Sequence, residues 1–489
     1  MLKTRKGGIS SVRFLTNADM LKIHEQSLCL LQDKGVEIKH EAALKNLADC
    51  GATVDFQTKN VTIRAGLVEQ ALKTVPREIT LGARNQERDI VLEPGGKMYT
   101  RNSGGMTQVV DLESGEIRDA VLADTEDFTR LADALAHINV VAPLYPCDVP
   151  LEIVELKTLE AMFKHTDKHI SVRALNPGTF PFIVEMAGAV AGGSGNLRER
   201  PIISILDSPI SPLSFPDVFI EALYTGGEYG IPVEACATPN IGATGPITLA
   251  GSLLLANVEQ LATIVISQLA NPGAPLIWAP RFPAMDMATG ITGMLTEGAL
   301  ISAAAAQMAV EHYHLICDFH GPATNAIVAG AESVFQECIA AFVTSYAGRP
   351  AILCGAGALE LGITASFEDL VIADDLFAVL ERTIDGITVN EDTLAADVIA
   401  GVGIGGHYLG HEHTLKHLRG NRLNSSLLKP KTREQWVEQG SPSLVKRARD
   451  KAREVLLHYQ PEKLDEKTER ELNNIIHAAH QKISCNHRI

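Results

Sequence analysis

Residues 140–144 read VVAPL, and six further short apolar runs follow along the chain. They are ISVRAL at 170–175, IISIL at 202–206, VEACA at 233–237, LIWA at 276–279, ICDF at 316–319 and ILC at 352–354. A Gly- and Pro-rich loop follows each run, and then a helical pattern of ten or more residues. Seven consecutive strand–helix steps with unbroken apolar strands predict a parallel sheet that is covered on both faces.

These steps favour a TIM (β/α)8 barrel of the α/β class over an open, doubly wound sheet. The first strand of a doubly wound sheet carries a phosphate-binding loop, and the sequence has none there. The eighth strand is predicted at residues 387–389 or 406–409. We expect an N-terminal α/β extension at residues 1–138, the barrel at 139–429 and a C-terminal helical segment at 430–489. Helices in that last segment are predicted at residues 446–460 and 465–482.

The composition excludes several classes of function. The 489 residues include 59 acidic and 43 basic side chains, which gives a formal net charge of −16. A nucleic-acid-binding surface needs an excess of Lys and Arg, so this balance argues against one. The 46% hydrophobic and 21% charged fractions are typical of a compact protein. The eight cysteines include no CxxC pair, which indicates a reducing, cytoplasmic compartment.

The sequence predicts neither membrane insertion nor export. Residues 249–270 form the most apolar stretch, but Asn257, Glu259, Gln260 and Gln268 interrupt it, which favours a buried helix. Residues 1–13 are basic and lack the apolar core and cleavage site of a signal peptide. We therefore expect a cytoplasmic protein.

The residues at the strand ends are the candidates for chemistry, because a TIM barrel places its site where strands end and βα loops begin. These residues are Tyr145, Arg173, Asp207, Asn240, Arg281, Asp286, His320 and Glu360. Residues 242–248 (GATGPIT) lead into a helix. The free N–H groups of that helix either bind an anion or belong only to a well-capped helix start.

A histidine cluster leaves a second function open. His407, His411, His413 and His417 lie close together, and a spacing of four can place two of them on one helix face and bind zinc. The HExxH pattern is absent and Lys416 would compete with a cation, so structural, hydrogen-bonded histidines are the other explanation. With a bound metal, the chain would be a metal-dependent TIM-barrel hydrolase. The Gly-rich run at 401–406 opens no βαβ unit and does not predict a dinucleotide site.

Five stretches together resemble the trimethylamine methyltransferase family. They read DLESGEIR at 111–118, GATGPITLAG at 242–251, DMATG at 286–290, GAGALELGITASFE at 355–368 and GGHYLGHEHTLKHLR at 405–419. The similarity extends from about residue 15 to about residue 480. It implies a TIM barrel that transfers a methyl group from an amine to the cobalt of a separate corrinoid protein.

The chain departs from the family at one informative position. The trimethylamine enzymes carry pyrrolysine after the sixth of these strands, whereas residues 321–329 here read GPATNAIVA. The chain thus resembles the branch without pyrrolysine, which implies demethylation of a quaternary amine such as glycine betaine or a related betaine. The resemblance also implies that the methyl acceptor is the cob(I)alamin-type corrinoid of the partner. No cofactor bound tightly by this chain and no metal site are expected.

The chemistry of that branch defines what the site must do. A quaternary ammonium leaves as a neutral tertiary amine, so the protein supplies no proton and has only to bind, align and exclude water. We expect the Trp278 ring to cover the ammonium by a cation–π contact. Arg281, Phe319, Tyr145 and Asn325 complete the expected substrate-binding set.

His320 is the expected catalytic residue, because it directly precedes the segment where relatives place pyrrolysine. Its expected role is orientation, through a hydrogen bond to the substrate carboxylate or to Asp318. The expected partners are the corrinoid protein, the quaternary amine and further copies of this chain. The sequence leaves open which quaternary amine is used, and whether the chain is instead a silent homologue that only binds a betaine.

Overall fold

The computed structural model describes residues 12–486, except residues 174, 175, 177, 295, 422 and 424 and the side chains of residues 419 and 484–486. The first eleven residues, and the last two of the predicted strand at 170–175, thus lie outside the described residues. Eight parallel strands form one sheet in chain order. They are β1 Tyr99–Asn102, β2 Val140–Val141, β3 His169–Arg173, β4 Ile203–Asp207, β5 Val233–Ala235, β6 Leu276–Trp278, β7 Asp318–His320 and β8 Ile352–Ala356. A parallel bridge between Trp278 and Cys317 joins β6 to the β7 segment, so the predicted barrel is confirmed.

The predicted position of the eighth strand is wrong. The structure has no strand at the described residues 387–389 or 406–409, and β1 completes the barrel between β2 and β8. The sequence of β1, YTRN, contains no apolar run, because Arg101 is buried against charged partners inside the barrel. The barrel sheet therefore starts before the boundary that we placed between residues 138 and 139.

A helix follows each strand and packs outside the sheet. The eight helices are α1 Leu122–Ala134, α2 Val154–His165, α3 Phe180–Ala191, α4 Asp217–Tyr229, α5 Leu249–Ala270, α6 Thr296–Gln307, α7 Ala331–Gly348 and α8 Phe367–Ile384. In the described part of the chain, α5 alone is long and apolar enough to cross a membrane. Its polar residues Asn257, Glu259 and Gln260 are buried inside the protein, as expected of a core helix.

The N-terminal extension closes one end of the barrel. It contains helices Asn17–Asp33, Glu41–Asp49 and Ala65–Thr74, the 3-10 helix Gln86–Arg88, and strands Val36–Ile38, Thr53–Asp55, Asn60–Thr62, Ile79–Leu81 and Ile90–Leu92. The last two strands form a hairpin. Its side chains share one apolar cluster with Val140, Ile277 and Ile352 of the barrel strands. The hairpin therefore fills the end at which these strands begin.

A second small sheet lies beside the opposite end, where the strands finish. It consists of Gln108–Val110, Ile117–Asp119, Ala358–Leu359 and Thr364–Ser366. Arg118 stabilises the turn that joins strands Gln108–Val110 and Ile117–Asp119. Its Nη2 lies 2.9 Å from Asp111 Oδ2, and its Nη1 lies 2.6 Å from Asp124 Oδ2. Further short elements are strands Ser214–Phe215, Ala284–Met285 and Thr292–Gly293, helix Ser194–Glu199, the 3-10 helix Leu151–Ile153 and the π-helix Met308–His312.

The two predicted C-terminal helices are present as Leu444–His458 and Glu466–Asn486, and the short helix Arg433–Glu438 precedes them. Three further helices, Glu391–Leu394, Ala396–Val402 and Glu412–Asn421, lie within the range 139–429 that we predicted to be barrel. Arg449 Nε lies 2.7 Å from Glu368 of α8, and the Tyr459 hydroxyl donates to Asp133 of α1 at 2.5 Å. Polar contacts thus fasten the segment to the outside of the barrel.

Candidate active site

The barrel interior contains a cluster of buried polar side chains, where layers of apolar residues are usual. The cluster consists of Arg101, Ser171, Ser204, Glu234, Arg281, Asp318 and Cys354. Asp318 on β7 lies at its centre, with Oδ2 2.6 Å from Arg101 Nη2 and Oδ1 3.1 Å from Arg281 Nη2. Buried charges require such partners. Asp318 therefore forms ion pairs with both buried guanidinium groups.

Glu234 on β5 supplies a second carboxyl group, and its pKa is shifted in the opposite direction to that of Asp318. Its Oε1 accepts hydrogen bonds from Ser171 Oγ at 2.8 Å and Ser204 Oγ at 2.7 Å, and its Oε2 lies 3.2 Å from Arg101 Nη2. Burial raises the pKa of Glu234, and the positive charge of Arg101 offsets only part of this rise. Burial also disfavours ionised Asp318, but the two guanidinium groups outweigh it and lower the pKa of Asp318 to about 2. Asp318 is thus ionised, while burial drives Glu234 toward its protonated form.

Arg281 follows β6 and turns back into the barrel. Its Nη1 donates to the backbone oxygens of Asp318 at 2.7 Å and Ala279 at 3.0 Å, and its Nη2 donates to Cys354 Sγ at 3.2 Å. Burial raises the pKa of the Cys354 thiol to about 12, so this sulfur is neutral. These contacts hold the guanidinium in one orientation.

His320 ends β7 and lies next to these charges. Its Nδ1 is buried and has no hydrogen-bond partner among the residues that the structure describes. Burial, and then the nearby positive charge of Arg281, lower the pKa of His320 to about 3. The ring is therefore neutral in ordinary buffers, and its buried Nδ1 remains available to a ligand.

A second group of ionisable side chains lies where β2, β3 and β4 end. Asp207 Oδ1 accepts from the Ser208 N–H at 2.7 Å, and its buried Oδ2 has no hydrogen-bond partner in the described part of the chain. Burial raises the pKa of Asp207 to about 6, against the Ser208 hydrogen bond and the charge of Arg173. The charges of Arg173 and Glu155 act on Asp207, and these two residues line one small cavity together with Tyr145. The structure thus brings together Tyr145, Arg173 and Asp207, three of the predicted strand-end residues.

Trp278 and Phe319 lie on the outer side of the barrel wall. The Trp278 ring packs on Tyr313, with 5.2 Å between ring centroids, and the Tyr313 hydroxyl accepts from Asn257 of α5 at 2.9 Å. The neighbouring Ile277 belongs to the apolar cluster inside the barrel. Phe319 is fully buried in the main core between the inward-facing Asp318 and His320. This placement separates both aromatic rings from the buried charges.

Asn325 connects two loops at the barrel mouth. Its Oδ1 accepts from the Met294 N–H at 3.0 Å, and its own N–H donates to Gln336 Oε1 at 2.9 Å. A Cβ on Gly293 would come within 2.3 Å of Asn325 Nδ2, so only glycine permits this close approach. Asn325 therefore joins the loop after β7 to the hairpin that follows β6.

Three other strand-end candidates hold loops at the mouth. Asn240 Nδ2 donates to Thr292 Oγ1 at 2.8 Å, and Asp286 Oδ1 accepts from the Ala288 N–H at 2.8 Å. Glu360 Oε2 accepts from Thr364 Oγ1 at 2.6 Å. These side chains shape the rim of the barrel rather than its buried charges.

Comparison with known proteins identifies the family. The family model described as trimethylamine methyltransferase (MTTB) matches residues 1–484. The chain belongs to this family. The trimethylamine methyltransferase MttB of Desulfitobacterium hafniense (strain DSM 10664 / DCB-2) is 34% identical over 94% of this chain and 92% of the relative. The glycine betaine methyltransferase of D. hafniense (strain Y51) is 30% identical over 94% of this chain and 96% of the relative. The chain is therefore a methyltransferase.

A solved structure supports the same fold. The monomethylamine methyltransferase MtmB of Methanosarcina barkeri aligns over 90% of this chain and 92% of its own, with a TM-score of 0.50 and 13% sequence identity. At this identity the likeness concerns the barrel architecture and not the residues of the site.

The histidine cluster of this methyltransferase does not favour the alternative of a metal-dependent hydrolase. His417 Nε2 lies 3.3 Å from Asp392 Oδ2, and the Lys416 ammonium lies 2.6 Å from Asp392 Oδ1. His413 Nε2 lies 3.2 Å from the carbonyl oxygen of Asp392. Among the described residues, no group of three or more His, Cys, Asp or Glu side chains is placed to hold a metal ion. His413 and His417 thus lie beside Asp392, whose carboxylate already forms an ion pair with Lys416.

Arg101, Glu234 and the two serines of the methyltransferase barrel are not among the residues predicted from the sequence. The predicted candidates follow the strands, whereas these side chains lie within strands β1, β3, β4 and β5. A usable signal was present in VEACA at 233–237 and ICDF at 316–319, since each places a carboxyl group inside an apolar run. A charge in such a run is costly unless it is paired.

Proposed function

We propose that this methyltransferase demethylates a quaternary amine that carries a carboxylate, such as glycine betaine or a related betaine, with the Co(I) of a separate corrinoid protein as methyl acceptor. The observation that carries the proposal is the charge of the buried cluster. Two buried guanidinium groups, Arg101 and Arg281, share Asp318, and burial raises the pKa of Glu234, the carboxyl group 3.2 Å from Arg101 Nη2. A carboxylate of the substrate would bind beside these two cations.

His320 supports the same assignment. Its neutral ring has a buried Nδ1 without a hydrogen-bond partner among the described residues. In the tautomer protonated at Nδ1, this group donates to a carboxylate oxygen beside Arg281. A bare quaternary cation would gain nothing from either group, because it has no acceptor and is repelled by the guanidinium. These two groups therefore favour a zwitterion over a simple tetraalkylammonium.

The ammonium end of the zwitterion is assigned to the group at the ends of β2–β4. Asp207 has a buried oxygen without a hydrogen-bond partner in the described structure, and Tyr145 shares a small cavity with Arg173, whose charge acts on Asp207. A carboxylate and an aromatic face both attract a cation. We propose Tyr145 for this aromatic contact, since the Trp278 ring already packs on Tyr313.

The chain's own residues bind and align the substrate, and they transfer no proton. When the partner is docked, its cobalt supplies the nucleophile for the methyl carbon. The leaving group is a neutral tertiary amine, so no general acid is required. His320, with a pKa lowered to about 3, could not act as one near neutral pH. The fixed carboxylate contacts instead direct one N–CH3 bond toward the mouth, where a misplacement of about 1 Å is costly.

The rim of the mouth supports a protein as the methyl acceptor. Six apolar side chains on the βα loops are more than half exposed: Ile210, Ile247, Met287, Ile291, Ile327 and Val328. Exposed apolar patches of this kind mark interaction sites. A corrinoid protein that docks on this rim would bring its cobalt over the barrel and exclude water.

The test is a substrate screen with the purified chain and a corrinoid protein reduced to Co(I). Loss of the Co(I) absorbance measures methyl transfer. We expect turnover with glycine betaine or a related betaine and none with trimethylamine. Tetramethylammonium is the matched control, since it has the quaternary nitrogen without the carboxylate. Equal turnover of tetramethylammonium, or efficient turnover of trimethylamine, would contradict the proposal.

A further inference from the structure

Residues 387–421, here called the arm, form a long stretch without a core of its own. It contains the short helices Glu391–Leu394, Ala396–Val402 and Glu412–Asn421, and none of its described side chains is buried. Seven of its aliphatic side chains are more than half exposed: Ile387, Val389, Leu394, Ile399, Ile404, Leu409 and Leu415. Apolar exposure on this scale indicates a surface that another molecule covers.

The polar groups of the arm bind one another. Asp392 lies 2.6 Å from the Lys416 ammonium and 3.3 Å from His417 Nε2, and its carbonyl oxygen lies 3.2 Å from His413 Nε2. The rings of His413 and His417 are 4.4 Å apart. The histidine cluster therefore braces the arm in a defined shape. The side chains that the arm offers to another molecule are the aliphatic ones.

The arm lies away from the catalytic mouth. It follows the C-terminal end of α8, and barrel helices run antiparallel to their strands, so this end is opposite the mouth. His137, which precedes β2, lies 3.0 Å from Glu381 near the end of α8. The chain returns to the middle of α8, where the Leu427 N–H donates to Asp375 at 2.8 Å. A protein docked on the mouth therefore does not cover the arm.

The apolar area of the arm suits an interface between two subunits. A buried Leu or Ile side chain removes roughly 60–120 Å² from water. The seven side chains, each more than half exposed, thus offer on the order of 400 Å². A stable dimer buries about 800 Å² per partner. These side chains alone account for about half of that requirement, before the backbone and the remaining arm residues are considered.

We propose that the arm is the contact between two copies of this chain, with the arms of two subunits packed against each other around a two-fold axis. In such an interface the same surface lies on both partners and covers itself. This arrangement explains two features of the sequence that have no role in the methyl-transfer site. The histidine cluster holds the arm in shape, and the Gly-rich run at 401–406 presents the fully exposed Ile404.

The first test is the mass of the full chain in solution at micromolar concentration, measured by sedimentation. We expect the wild type to be a dimer or a higher assembly of even number. The double variant Ile399→Asp/Leu409→Asp should be monomeric, with a dissociation constant raised at least about 100-fold, because two buried charges oppose association. The control is Leu457→Asp, which changes an exposed leucine on helix Leu444–His458 and should keep the wild-type mass. A monomeric wild type, or a double variant of wild-type mass, would overturn the proposal.

A second measurement needs no variant. In the wild-type chain, backbone amides of residues 391–418 should exchange slowly with deuterium, since a second arm covers them. An uncovered segment with three short, exposed helices should exchange within seconds. Rapid exchange of the arm in a sample of proven oligomeric mass would show that the subunits associate elsewhere, and would refute the assignment.

Discussion

The barrel interior and the arm use polar and apolar side chains in opposite ways. In the barrel, Arg101, Arg281 and Asp318 are buried in a place where apolar residues are usual. In the arm, Ile404 and Leu409 are exposed, while Asp392 is engaged by its own neighbours. Each region departs from the ordinary rule that burial follows hydrophobicity. We propose that each departure marks a binding surface, for the substrate in the barrel and for a second subunit on the arm.

The largest effect is expected from Asp318→Asn, which tests whether the barrel charges depend on one carboxylate. The variant removes the carboxylate that pairs with both buried guanidinium groups, which should lower the free energy of unfolding by about 3–5 kcal/mol. Denaturant unfolding measures it. Asp450→Asn removes the half-exposed partner of Lys446 and should cost less than about 1 kcal/mol. Equal losses in the two variants would mean that the buried cluster has no special dependence on Asp318.

His320→Ala tests the orienting role of the unpartnered Nδ1. The variant should keep the fold and lose about 100-fold in turnover, since it removes a contact that aligns the substrate. The Co(I) absorbance assay with a betaine measures the loss. His477→Ala, a change at an exposed histidine of helix Glu466–Asn486, is the control and should be fully active. A His320→Ala enzyme of near-normal rate would assign His320 a structural role.

Trp278→Leu separates packing from ligand binding. Because the ring packs on Tyr313, the variant should lose about 2 kcal/mol of stability and keep the KM for a betaine. The second tryptophan, Trp436, is 41% exposed, and Trp436→Leu should change stability much less. A KM raised about tenfold, with little loss of stability, would instead restore the cation–π contact that the sequence suggested.

The pH dependence should differ between binding and turnover. Burial raises the pKa of Asp207 to about 6, so its carboxylate forms as pH rises through that value. The KM should therefore rise severalfold as pH falls from about 7 to about 5, when the attraction for the ammonium is lost. The kcat should stay flat between about pH 6 and 8, because His320 remains neutral there. In Asp207→Asn the KM should not depend on pH, and a kcat that follows one ionisation near 6.5 would point to acid–base chemistry.

The smallest effect is expected from removal of metal ions, which tests whether the histidines of the arm bind a metal. Since His413 and His417 surround an Asp392 that already has Lys416, a chelator should change neither turnover nor the mass of the assembly. Metal analysis of the purified chain should find no stoichiometric zinc. A zinc lost together with activity would support the hydrolase alternative.

The sequence by itself determined the architecture. Seven apolar runs at regular intervals predicted the parallel barrel, because strands covered on both faces must be apolar over several consecutive residues. The same rule could not find β1, whose Arg101 faces charges rather than apolar neighbours. The predicted C-terminal helices were also found, since their pattern is local. Motifs quoted from the sequence identified the family, and the family model matches residues 1–484.

Only the tertiary structure decided which side chains share the site. Arg101, Glu234 and Asp318 are far apart in sequence, and their charge balance exists only once the barrel closes. Trp278 and Arg281 are three residues apart, yet one faces the helices and the other the interior. Alternation along a strand and the turn after it set these directions. Burial, pairing and pKa are properties of the surroundings in space, and residues distant in sequence supply those surroundings.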